Sequence, residues 1–97
     1  MNNPDEIFQN AIVAHRSGDL DTAGRLYRQV LAAAPENSGA LRNLATLLAS
    51  NGSMDEAVDL YRKALLQIPN DLAVLTNLGL ILQQQGNNDE AGTLYNR

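Results

Sequence analysis

Leu41, Leu44, Ala45 and Leu48 stand at i, i+3, i+4 and i+7, the spacing that puts apolar side chains on one face of a helix. After a short polar break, Ala57, Leu60, Tyr61, Ala64, Leu65 and Ile68 build a second such face. Gly52 lies in the break and can take the left-handed conformation in which helices commonly end. Ser53 then reads as a start signal, and Glu56 three positions later completes a capping box. Pro69 stops the second helix, and Asn70 and Asp71 begin the next cap. Residues 38–71 are thus expected to fold as two helices joined by a turn.

The pattern returns at a fixed period. Tyr27, Tyr61 and Tyr95 are 34 positions apart, as are Gly18, Gly52 and Gly86. The triplets Ala23/Ala57/Ala91, Leu26/Leu60/Leu94 and Asp21/Asp55/Asp89 share the period, and so do Pro35/Pro69, Asn43/Asn77 and Leu48/Leu82. A period of this length marks a stacked repeat architecture. Six helices are expected, at 4–17, 20–33, 38–51, 54–67, 72–85 and 88–97. Asp19 and Asn87 take the cap position of Ser53 in the other copies. The first helix opens on Asn3 and Pro4, with Asp5 and Glu6 supplying negative charge to its first turn. Gly24 and Gly92 fall inside second helices, where the middle copy has Val58, and each should cost about 1 kcal/mol in helix propensity.

The recurring Leu-Tyr pair has a structural reading. The second helix of each unit must bury a large side chain between its own first helix and the next unit. Ala23, Ala57 and Ala91, four positions before each tyrosine, let the helices approach closely.

The residues in register resemble the tetratricopeptide repeat, whose pattern is W-x2-L-G-x2-Y…A-x3-F…P. The middle copy supplies Leu41, Leu44, Ala45, Leu48, Ala57, Tyr61 and Pro69. The third supplies Leu75, Leu78, Gly79, Leu82, Ala91 and Tyr95; the first, further from the pattern, has Ile7, Asn10, Ala11, Ala14, Ala23, Tyr27 and Pro35. The resemblance implies an all-α fold, a right-handed α–α superhelix of helix–turn–helix units. It implies one domain over 4–97, with units 4–37 and 38–71 and a partial unit 72–97.

It also implies a concave groove lined by the first helices. Asp5, Phe8, Gln9, Ile12 and Arg16 would face it from the first unit, and Arg42, Asn43, Thr46 and Ser50 from the second. Thr76, Asn77, Leu80 and Gln84 would face it from the third. Asn43 and Asn77 should lie about 10 Å apart on adjacent helices. Each amide offers donors and an acceptor that match a peptide bond without reading its side chain. The pair is similar to the asparagine ladder in the repeat domain of O-linked N-acetylglucosamine transferases, with Gln9 at the corresponding place in the first unit. The competing reading of the pair is structural, a hydrogen bond between repeats. A clamp for chaperone C-terminal carboxylates is not expected, because its Lys, Asn and Arg places hold Phe8, Ile12, Ala73 and Asn77, and only Asn43 fits.

Composition narrows the function. The 97 residues contain no cysteine, so neither a disulfide nor a thiolate metal site is available. A net charge of −4 argues against a nucleic-acid surface. No apolar run approaches the roughly 18 residues of a membrane span, and MNNPDEIFQN does not read as a secretory signal. A soluble, cytoplasmic protein is expected. His15 is the only histidine and reads as a half-exposed helix residue near the groove. The acidic pairs Asp55-Glu56 and Asp89-Glu90 read as first-turn partners of the helix dipole, balanced by Arg62 and Lys63. No phosphate-cradling loop, zinc spacing or calcium loop is present.

The chain is therefore expected to be a non-catalytic module without cofactors that binds a peptide or protein in its groove. The alternatives are the N-terminal recognition domain of a larger glycosyltransferase and a self-assembling array. The third unit stops at Arg97, inside its second helix, where repeat arrays generally carry a polar cap. Either self-association through residues around 78–97 or disorder of the last helix is expected.

Overall fold

The computed structural model describes residues 3–86. Within them lie five helices: α1 (Pro4–Arg16), α2 (Leu20–Ala33), α3 (Ser38–Ser50), α4 (Met54–Gln67) and α5 (Leu72–Gln84). Their ends fall within a residue of the bounds expected from the pattern. The sixth helix expected at 88–97, with Gly92, Leu94 and Tyr95, lies outside the described residues, and so does most of the expected self-association surface.

Side-chain caps account for most helix starts. Asn3 Oδ1 accepts from the Glu6 amide at 2.8 Å, and Asp19 Oδ1 from the Thr22 amide at 3.2 Å. Asn37 Oδ1 accepts from the Ala40 amide at 2.9 Å, and Asp71 Oδ1 from those of Ala73 and Val74 at 3.1 and 3.3 Å. Each bond satisfies an amide that the helix itself leaves without a partner.

The Ser53 capping box is not formed. Ser53 is the N-cap of α4, but its side chain makes no cap bond. Its reciprocal partner is also engaged elsewhere. The Glu56 carboxylate accepts from Arg28 Nη1 at 2.8 Å, and the Ser53 amide donates to the Leu48 carbonyl at 2.8 Å. A bond between units has replaced one within a turn. It holds the Glu56 carboxyl below its usual range, chiefly through the hydrogen bond from Arg28.

Gly18, Gly52 and Gly86, which follow the first helices, take φ of +84°, +94° and +84°. These left-handed residues turn the chain so that α2 packs back on α1, and α4 on α3. The hairpins then stack, α2 against α3 and α4 against α5. Tyr27 and Tyr61 lie in the core with 0% and 1% of their surface exposed, and Ala23 and Ala57 beside them are fully buried. The first two units also meet at Phe8, whose ring tip would stand 2.9 Å from a Cβ placed on Gly39.

Gly24 is a different case. A Cβ there would meet nothing within 4 Å, and its φ is not positive. Gly24→Ala therefore removes a helix-interior glycine at no steric cost. It should stabilise the chain by about 0.5–1 kcal/mol, seen as a higher urea midpoint. A lowered midpoint would show that α2 needs the glycine.

Candidate functional site

The rings of Tyr27 and Tyr61 are core, but their phenols reach the side of the molecule formed by α1, α3 and α5. Tyr61 Oη lies 2.7 Å from Thr46 Oγ1, and Asn77 Nδ2 donates to the same phenol at 3.3 Å. Thr46 has one hydroxyl proton, and it goes to the Arg42 carbonyl at 3.0 Å. The phenol must then donate to Thr46. The chain of donors runs in one direction, from Asn77 on α5 through Tyr61 on α4 and Thr46 to Arg42 on α3. Asn77 uses one N–H in it, which leaves its second N–H and its carbonyl oxygen for another partner.

The first unit is arranged in a related way. The Asn43 side chain neighbours the Tyr27 phenol and favours its ionised form. The position equivalent to Thr46 is Ile12, which has no hydroxyl. His15, one helical turn further along α1, takes its place with Nδ1 at 3.0 Å from Tyr27 Oη. The imidazole stands edge-on to the phenol ring at a centroid distance of 5.8 Å. Burial pushes the Tyr27 phenol above its usual range, while the Asn43 amide and the Arg16 charge pull the other way.

Above each phenol is an open depression. The first, about 460 Å³, is formed by Phe8, Ile12, His15 and Arg16 of α1, Tyr27, and Arg42 and Asn43 of α3. The second, about 280 Å³, is formed by Thr46, Ala49 and Ser50 of α3, Tyr61, and Asn77, Leu80, Ile81 and Gln84 of α5. Phe8, Ile12, Arg16, Arg42 and Asn43 are thus brought together in one, and Thr46, Asn77, Leu80 and Gln84 in the other. Gln9 lies apart, in a shallow recess with Asn3, Asp5, Glu6 and Asn10. Thr76 is exposed and lines neither depression.

The two depressions differ in charge. The first carries Arg16, His15 and Arg42, whose Nη1 donates to Asp71 Oδ2 at 3.2 Å. The second has no charged lining residue. Among the described residues no three His, Asp or Glu side chains converge as a metal site would require. What the surface offers is amides, hydroxyls, two guanidinium groups and apolar walls, the materials of recognition.

Three features here go beyond the expected set: His15 as a phenol partner, the phenols themselves, and Ala49 and Ile81 as walls. A signal for the second was present. Each asparagine follows its tyrosine by 16 positions, in both copies.

The family model of the tetratricopeptide repeat matches residues 14–74 and 48–97, overlapping segments that run to the last residue. The chain belongs to the tetratricopeptide repeat family. Its fold is the all-α superhelix of that family, whose repeats serve as protein-interaction modules. Among solved structures it is similar to MamA, with a TM-score of 0.91 at 18% identity over 97% of this chain and 55% of that one. That likeness concerns the fold alone. A second MamA structure gives 0.87 at 25% identity, over 98% of this chain and 52% of the other. A mutant O-GlcNAc transferase from Thermobaculum terrenum gives 0.84 at 30% identity, over 97% of this chain and 19% of the transferase. The chain thus spans about half the length of the MamA chains and about a fifth of the transferase. No curated protein matches the tetratricopeptide chain in sequence. Among the described residues, no helix is long and apolar enough to cross a membrane.

Proposed function

We propose that the array of residues 4–97 is a non-catalytic recognition module that holds an extended peptide along α1, α3 and α5. Asn43 and Asn77 hold the peptide by its backbone, and the two depressions receive its side chains. One observation carries this reading. The bond from Asn77 to Tyr61 fixes the amide at the groove and still leaves a donor and an acceptor, the complement of a peptide bond. The structural and the binding roles of the asparagine pair are therefore compatible. The bond to the phenol orients the amide for the ligand.

The test is the double variant Asn43→Ala, Asn77→Ala. Both phenols keep a partner, Tyr27 in His15 and Tyr61 in Thr46, so helicity should survive. Each lost hydrogen bond to the peptide should cost about 0.5–1.5 kcal/mol, or about 5- to 150-fold in affinity for the pair. Unchanged affinity for a peptide selected on the native chain would assign both residues to the contact between units.

A second reading is favoured by the likeness to the transferase, which extends over nearly the whole of this chain. In it the array is the recognition region of a larger glycosyltransferase. The mass of the natural gene product separates the two: a product little larger than 97 residues excludes the second.

A further inference from the structure

The two depressions lie one repeat apart and share a floor of tyrosine and asparagine, but their walls are chemically unlike. In a chain of net charge −4, the first gathers Arg16, Arg42 and His15, and no carboxylate lines it. Arg42 places one nitrogen on Asp71, but its side chain remains 41% exposed and its fork has further donors. Arg16 is exposed beside it. The second depression is walled by Leu80, Ile81 and Ala49, with Leu80 48% exposed despite its size. Thr46, Ser50 and Gln84 add only neutral polar groups.

We propose that the groove reads two side chains of an extended peptide, an internal Asp or Glu in the first depression and a large apolar residue in the second, three residues apart. This rests on the peptide reading given above and adds its specificity. The spacing follows from two dimensions. Packed helices stand about 10 Å apart, and an extended chain rises about 3.3 Å per residue. The acid is set by charge complementarity with Arg16 and Arg42, and a basic residue there is repelled by the same two groups. The apolar residue covers Leu80 and Ile81, and a charged one in its place would lose hydration with no partner to replace it.

A random 12-residue peptide library, displayed with its C-termini fused so that no free terminal carboxylate is present, tests this on the 97-residue chain. Selection should enrich Asp or Glu three positions from Leu, Ile, Met or Phe, in either direction. A parallel selection on Arg16→Glu should lose the acidic preference at least tenfold and keep the apolar one. Peptides enriched without an acidic preference, or an acidic preference that survives Arg16→Glu, overturn the inference and leave the groove reading standing. No enrichment from any peptide overturns the groove reading, and the inference falls with it.

Discussion

Tyr61→Ala is expected to remove a large share of the chain's stability. The ring is 1% exposed and fills the seam where α3, α4 and α5 meet, with Thr46 and Asn77 on its hydroxyl from either side. Removing a buried aromatic costs about 3–5 kcal/mol, because the cavity closes only in part. A domain of this size has about 5–15 kcal/mol in total. Tyr61→Phe separates the ring from the hydroxyl. It keeps the packing and removes the link between Asn77 and Thr46, a loss of about 0.5–1.5 kcal/mol. Urea unfolding followed by helicity should therefore rank the chains native, Phe, Ala, with the larger step at Ala. Equal losses for the two variants would mean that the hydroxyl, not the ring, holds the units together.

Ala57→Leu is the opposite perturbation and is expected to be nearly as damaging. Ala57 is fully buried four residues before Tyr61, where α4 lies against α3. A leucine adds three carbons with no space to receive them. Overpacking of this kind costs about 1–3 kcal/mol, as side chains leave their rotamers and the helices separate. The melting temperature should fall by several degrees per kcal/mol lost in a chain this small. An unchanged melting temperature would show that the alanine is not set by helix approach, and that its return at Ala23 has another cause.

The element boundaries were legible because local chemistry decides them. Gly18 and Gly52 end helices whatever packs on them, and Asn3, Asp19 and Asp71 satisfy amides within their own first turn. The capping box expected at Ser53 does not form, for the converse reason. Glu56 had a better partner in Arg28, 28 positions away and in the preceding unit, and no local rule weighs such a contact. The groove was legible as a set of faces but not as a set of bonds. Helical spacing puts Asn43 and Asn77 on the right side of α3 and α5. It does not say that Asn77 donates to the phenol of the unit before, or that Asn43 stands beside the other phenol. The exchange of Thr46 for His15 is further from view, since it depends on Ile12 lacking a hydroxyl and on a ring reaching one turn further. Gln9 shows the limit of register alone. It matches the asparagines in position and lies with Asn3 and Asp5, away from both depressions.

We propose that Asn43 and Asn77 hold an extended peptide in one groove. The most direct test follows the side-chain amide resonances of the nitrogen-15-labelled chain as a peptide enriched on it is added. Gln29 and Gln67, exposed on α2 and α4, serve as controls on the second helices. The Asn43 and Asn77 amides should shift together and saturate at the same peptide concentration, while those of Gln29 and Gln67 stay in place. Shifts at Gln29 and Gln67 with Asn43 and Asn77 unmoved would place the ligand on the second helices and contradict it.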